Sequence, residues 1–121
     1  MSGPDYRLGQ RQRVVDRRVF EQTFEQGVRF AGRLQVLWVR RGEGASLRLG
    51  VVASKRTFHR AVDRNRARRL LSESYRLNRH RLKDDADVIL VARAAIRQCV
   101  FSDVVRDFLS LAGKAGLLAA T

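Results

Sequence analysis

The chain has 121 residues, 45% of them apolar and 31% charged, with 25 Lys and Arg against 12 Asp and Glu. This composition indicates one globular domain and excludes an intrinsically disordered chain. The formal charge of +13 destabilises a small compact domain by self-repulsion. A polyanionic partner would relieve that repulsion, and nucleic acid is the commonest such partner.

The sequence favours a reducing compartment and no membrane. Cys99 is the only cysteine, so an internal disulfide is excluded. The first 13 residues lack the apolar segment of a signal peptide, and no apolar run approaches the length that spans a bilayer. We therefore expect a cytoplasmic protein without a membrane partner.

Residues 1–13 are polar and basic, and they are predicted to form a flexible arm before a single domain over residues 14–121. A first helix should begin after Asp16 as its cap and end at Gly27. Within that helix Phe20 and Phe24 are spaced to share one face.

Strand signals follow the first helix. A short strand is expected near residues 28–31 and a longer one over residues 33–41, where alternation places Val36 and Trp38 on one side. Residues 42–46, GEGAS, are typical of a turn, and residues 47–54 read as a returning strand. The pattern therefore predicts a hairpin over residues 33–54.

The second half of the chain predicts a long helix over about residues 58–78, with Thr57 as its N-cap. DVILVAR, residues 87–93, suits a strand buried on both faces, and a last amphipathic helix should end at Gly113. The order α-β-β-β-α-β-α indicates an α+β fold, a two-layer α/β sandwich around one sheet.

The long helix is rich in arginine. A helical wheel groups apolar and small side chains that should pack on the sheet, namely Val62, Ala67, Leu70, Ser74 and Leu77. A second arc carries the basic set of Arg64, Asn65, Arg68, Arg69, Arg76 and Arg79.

A solvated helix face usually mixes acids and bases, whereas this arc has almost no acid. Asp63 and Glu73 point elsewhere and are expected to tether Arg66 or Arg69. The arc therefore favours anion binding over a merely solvated face. Charge alone does not choose between DNA and RNA, but the predicted sheet disfavours a helix-turn-helix domain.

The aromatic residues leave two alternatives open. Phe20, Phe24 and Trp38 could line an open cleft in which single-stranded bases stack, or they could be ordinary core.

The stretch GVVASKRTFHRAVDRNRARRLLSESYR, residues 50–76, resembles the signature of the protein subunit of bacterial ribonuclease P. The resemblance covers roughly residues 14–112 and includes the segments VFEQTFEQGVRF and DVILVAR. Ala67, Ser72 and the linker of residues 57–60 depart from the family pattern, but the R-N-R core, Arg64-Asn65-Arg66, is intact.

The resemblance implies a small RNA-binding subunit of an enzyme that removes the 5′ leader of precursor tRNA. It implies that the RNA subunit performs the hydrolysis with Mg²⁺, that the protein has no catalytic or metal-binding residue of its own, and that DNA is not a partner. It also implies a left-handed βαβ crossover like that of a ribosomal protein domain, which general rules would not have predicted.

The residues implied to bind the catalytic RNA are Arg60, Arg64, Asn65, Arg66, Arg68, Arg69 and Arg76. Those implied to bind the precursor tRNA leader are Phe20, Phe24, Val36, Trp38, Ser54, Lys55 and Arg56.

Few residues are candidates for catalysis or metal binding by the protein itself. His59, His80 and Cys99 form no evident metal or nucleophile motif. An acidic cluster, Asp84, Asp85 and Asp87, is either a cation site or a polar turn before a buried strand. Besides the subunit of ribonuclease P, a generic RNA-binding or ribosomal protein and an independent nuclease remain as alternatives.

Overall fold

The computed structural model describes residues 17–45, 48–83 and 85–119. The predicted arm of residues 1–13 and the Asp16 cap lie outside the described residues. The elements are α1 Arg17–Gln26, β1 Val28–Ala31, β2 Gln35–Arg40, β3 Leu49–Val52, α2 Ala61–Asn78, β4 Asp87–Ala92 and α3 Phe101–Lys114. Short 3₁₀ helices, Arg79–Arg81 and Ala94–Gln98, flank β4. This order confirms the predicted α+β class.

The four strands form one sheet in the order β1-β2-β4-β3. β2 is antiparallel to both β1 and β4, whereas β3 is parallel to β4. The predicted hairpin over residues 33–54 is therefore wrong, because β4 lies between β2 and β3. The apolar β4 is buried almost throughout, and a central place in the sheet gives it a neighbour on each edge. The hand of the β3–α2–β4 crossover stays a prediction.

Cross-strand partners point to the same side of a sheet, so the register assigns each side chain to a face. Leu37 and Val39 of β2, with their β4 partners Leu90 and Val88, belong to the main core under α2 and α3. Trp38 points to the opposite face, where it contacts Phe24 of α1. We call this second face the α1 face.

The buried side of α2 differs from the prediction. Ala67, Leu71, Ser74 and Tyr75 are buried, whereas Val62, placed on the sheet by the wheel, is 59% exposed. Leu70 and Leu77 are half-buried at the flank of this side. The helix is rotated from the predicted orientation because the larger Leu71 and Tyr75 fill the core, where the Tyr75 ring lies 6.2 Å from that of Phe108. Burial also raises the pKa of the Tyr75 hydroxyl far above its usual value, so it stays neutral.

The start of α2 is also later than predicted. Thr57 is not its N-cap, because the Thr57 amide donates to Ser54 Oγ at 3.1 Å within a separate turn. The Phe58 amide donates to the Ser54 carbonyl at 2.9 Å in the same turn. Arg60 is the residue that precedes the first helical turn.

Gly27 joins α1 directly to β1. A Cβ at this position would lie 2.4 Å from the Thr23 carbonyl oxygen and 2.9 Å from the Val39 carbonyl oxygen. Any other residue would push the helix away from β2, since both obstacles are backbone atoms. Gly27 thus ends α1 as predicted and brings it against the sheet.

Asp87, part of the acidic cluster, is fully buried and pairs with two arginines. Its carboxylate lies 3.0 Å from Arg40 and 2.8 Å from Arg48, and Arg40 also donates to the Glu43 carbonyl at 2.6 Å. Asp85 is exposed, and Asp84 lies outside the described residues. Within residues 17–45, 48–83 and 85–119 no three metal-ligating side chains come together. Among the described residues Asp87 thus pairs with arginine side chains.

We expect Asp87→Asn to lower the free energy of unfolding by about 3 kcal/mol, because it leaves the buried Arg40 guanidinium without its counter-charge. Urea denaturation followed by circular dichroism measures the change. The matched control, Asp85→Asn on the exposed surface, should stay within about 0.5 kcal/mol of the unsubstituted protein. Equal effects of the two substitutions would contradict the assigned role of Asp87.

Candidate nucleic-acid interface

Two arginines of the R-N-R segment, Arg64 and Arg66, donate hydrogen bonds to backbone carbonyl groups at either side of α2. Arg64 donates to the carbonyl oxygens of Phe58 at 2.9 Å and His59 at 3.2 Å, and so fixes the turn before α2. Arg66 reaches the other way, to the Ile96 carbonyl at 3.2 Å and to the Cys99 carbonyl. It ties α2 to the segment that precedes α3. Their guanidinium groups are therefore partly occupied.

Four other side chains, in the N-terminal half of α2 or directly before it, face solvent, and we call them the α2 surface. Arg68 donates to Asn65 Oδ1 at 3.0 Å, an arrangement that holds the two exposed groups side by side. Arg69 and Arg60 are exposed, and their guanidinium groups contact no acid or acceptor among the described residues. The α2 surface thus consists of Arg60, Asn65, Arg68 and Arg69.

The acids on α2 pair with partners other than those predicted. Glu73 binds Arg76 through both carboxylate oxygens, and Asp63 lies 3.5 Å from Arg97. The expected tethering of Arg66 or Arg69 by these acids is therefore wrong. Arg76 is largely neutralised in place, whereas the α2 surface keeps its positive charge.

The aromatic residues predicted for a cleft meet on the α1 face. The Phe20 and Phe24 rings lie 6.3 Å apart, and Phe24 makes an edge contact with Trp38 at 5.2 Å. Val36, two residues before Trp38 on β2, points to the same face. Phe24 is 38% exposed, and Phe20 and Trp38 are half-buried. The cluster is therefore open to solvent on one side, which favours the cleft over ordinary core.

The register adds residues that the sequence prediction missed. The row containing Val36 continues to Ala31 on one side and to Val91 and Val52 on the other. Ala31 is exposed and the last two valines are half-buried, so this row forms a partly open apolar floor beside the aromatic cluster. Alternation along β4 and β3 could have shown that Val91 and Val52 share a face with Val36. The sequence prediction missed this because it paired β2 with β3 in a hairpin.

Ser54, Lys55 and Arg56 follow the end of β3, at one end of this apolar floor. All three are exposed. Ser54 Oγ donates to Thr57 Oγ1 at 2.9 Å, whereas the Lys55 and Arg56 charges contact no acid among the described residues. The structure thus places two available cations between the floor and the start of α2.

A family model described as Ribonuclease P matches residues 8–116. The chain belongs to this family. It is 31% identical to the ribonuclease P protein component of Syntrophomonas wolfei over 112 residues, which cover 93% of each chain. It is 36% identical to that of Clostridium acetobutylicum over 101 residues, covering 82% of this chain and 84% of the other. The family name assigns the chain to ribonuclease P as a protein component with a role in tRNA processing.

Solved structures of the family share the fold. The RNase P protein of Staphylococcus aureus has a TM-score of 0.78 at 21% identity, over 89% of this chain and 98% of the other. The RNase P protein of Thermotoga maritima has a TM-score of 0.72 at 24% identity, over 82% and 93%. Among the described residues no helix has the length and apolar character to cross a membrane.

The two kinds of arginine should differ in their effect on stability. We expect Arg66→Ala to lower the free energy of unfolding by about 1–3 kcal/mol, since it removes a charged donor from buried carbonyl groups. Arg69→Ala, the matched control on the same helix, should change it by less than about 0.5 kcal/mol. Chemical denaturation of both variants tests this difference. A loss in Arg69→Ala as large as in Arg66→Ala would show that the α2 surface is structural.

Proposed function

We propose that this protein binds the catalytic RNA of ribonuclease P through α2 and the 5′ leader of precursor tRNA through the cleft of the α1 face. It thereby promotes endonucleolytic removal of the leader to give the mature tRNA 5′ end. The observation that carries the proposal is the continuity of an open aromatic cluster, an apolar floor and available cations that lead to α2.

Binding of the RNA subunit is supported by positive charge on α2 that no acid among the described residues neutralises. The α2 surface presents guanidinium groups of Arg60, Arg68 and Arg69, with the Asn65 amide among them. Guanidinium groups bind phosphate through parallel hydrogen bonds and suit a folded RNA backbone. Arg64 and Arg66 contribute mainly by holding α2 in place, while keeping further N–H donors that can face RNA. Arg76, paired with Glu73, is the weakest of the proposed contacts.

Binding of the leader is supported by the aromatic, apolar and cationic groups that lie together on the α1 face. Single-stranded RNA binds where bases stack on aromatic rings and cations follow the backbone. Trp38 with Phe20 and Phe24 offers the rings, Val36 belongs to the floor, and Ser54, Lys55 and Arg56 offer a polar and cationic end. A paired helix would not fit such a groove, so the leader is the part of the precursor that it suits.

The chemical step belongs in this proposal to the RNA subunit, with Mg²⁺ held mainly by that RNA. The protein contributes by position, because phosphate contacts on α2 and stacking in the cleft fix the strand to be cut relative to the RNA. The cytoplasm, where precursor tRNA is processed, is the expected compartment. A generic RNA-binding protein and an independent nuclease are the alternatives that the following experiment separates.

We expect the purified protein alone to leave precursor tRNA uncut, and to stimulate cleavage strongly when a bacterial ribonuclease P RNA is added at low Mg²⁺. Gel analysis of the released leader measures both reactions. Cleavage by the protein alone, after rigorous removal of contaminating nucleases, would indicate an independent nuclease. Lack of stimulation would indicate a generic RNA-binding protein.

Trp38→Ala should weaken binding of precursor tRNA by roughly tenfold, the effect of one lost stacking contact, and leave binding of mature tRNA unchanged. Fluorescence titration of the complex with the catalytic RNA compares the two ligands. Val100→Ala, an exposed apolar residue outside both α2 and the cleft, is the control and should change neither. Equal losses for precursor and mature tRNA would assign Trp38 to the core.

A further inference from the structure

Arg29 lies on the α1 face next to the aromatic cluster. It is the second residue of β1 and is the cross-strand partner of Trp38, so the two side chains share a face. β1 is an edge strand of the sheet, and Arg29 is exposed. Its guanidinium contacts no acid or acceptor among the described residues. An available cation therefore stands beside the ring on which we propose that a leader base stacks.

The apolar floor connects Arg29 with the cations at the other end of the cleft. β1 and β3 are the two edges of the sheet, separated by three strand spacings, or about 14 Å. Between them the floor exposes only small aliphatic groups, Ala31 at the β1 edge and Val91 and Val52 toward β3. A single strand can cross the strands of the sheet with a cation at each end and aromatic rings beside it.

The two ends of the cleft differ in their distance from α2. Arg68 reaches the Ala53 carbonyl, at 3.5 Å, and Arg64 holds the Phe58 carbonyl, so the segment with Ser54, Lys55 and Arg56 adjoins α2. If α2 lies on the catalytic RNA, the β3 end of the floor is near the site of cleavage. The leader then enters the cleft there and leaves it across β1.

From this geometry, and resting on the proposed function, we propose that Arg29 binds a leader phosphate upstream of the nucleotides held near Lys55 and Arg56. The leader thus runs from the β3 edge to the β1 edge with increasing distance from the cleavage site. Arg29 contacts only leaders long enough to cross the floor.

The test is affinity as a function of leader length. The full-length protein, assembled with the catalytic RNA, is titrated with precursor tRNAs whose leaders grow one nucleotide at a time from the cleavage site. We expect Arg29→Gln to bind short-leader precursors normally and to lose roughly tenfold in affinity once the leader passes a threshold length. With long leaders the slope of log affinity against log salt should fall by about one unit.

Three variants control this measurement. Arg29→Lys keeps the charge and should retain most of the affinity for long leaders. Arg106→Gln removes an exposed arginine of α3 that pairs with Asp103, and should lower affinity at no leader length. Lys55→Gln should weaken binding at leader lengths that are too short to be affected by Arg29→Gln.

The results separate this inference from the proposed function. If Arg29→Gln has no effect, or the same effect at every length, while Trp38→Ala remains selective for precursor, the Arg29 contact is refuted and the proposed function stands. A threshold for Lys55 longer than that for Arg29 would overturn the direction of the leader. If neither Trp38→Ala nor Lys55→Gln distinguishes precursor from mature tRNA, leader binding by the cleft is itself refuted.

Discussion

Burial of β4 on both faces is the constraint on which the rest of the structure depends. An apolar strand of this kind needs a neighbour at each edge and helices above and below. β2 and β3 lie at its two edges, and α1 and α2 pack against it on opposite faces of the sheet. The chain then passes from β3 through α2 to reach β4 in parallel. This connection places Ser54, Lys55 and Arg56 one short turn before the start of α2. It thereby joins the α2 surface to the α1 face on the other side of the sheet.

The arginines show how one residue type serves two purposes in a strongly basic chain. Arg64 and Arg66 donate to backbone carbonyl groups, and Arg40 and Arg48 share the buried Asp87. The ion pairs with Asp87 compensate charge within the fold, whereas the carbonyl groups only accept hydrogen bonds. The charges of Arg29, Arg60, Arg69, Lys55 and Arg56 meet no acid among the described residues, so a bound anion would relieve their repulsion. The net charge is thus partly used in holding the fold and partly available to an anionic partner.

Much of this was predictable from local patterns. The order of elements, the end of α1 at Gly27 and the shared face of Phe20 and Phe24 follow from spacing and backbone preferences. The hairpin prediction was wrong because the neighbours of a strand depend on burial of residues distant in sequence, and β4 is distant in sequence from β2. The predicted orientation of α2 was wrong because Val62 matches the apolar period as well as Leu71 does. Only the packing of Tyr75 against Phe108 determines which of the two is buried. The roles of Val52, Val91 and Arg29 depend on the register, which no local pattern contains.

Gly27 fixes the position of the aromatic cluster relative to the sheet. With no linker between α1 and β1, and with backbone atoms in contact where a side chain would stand, the helix that carries Phe20 and Phe24 is fixed relative to the sheet. The spacing between the Phe24 and Trp38 rings is then set by the backbone and not by a flexible linker. A cluster that is preorganised in this way loses little free energy to ordering its side chains when a ligand binds.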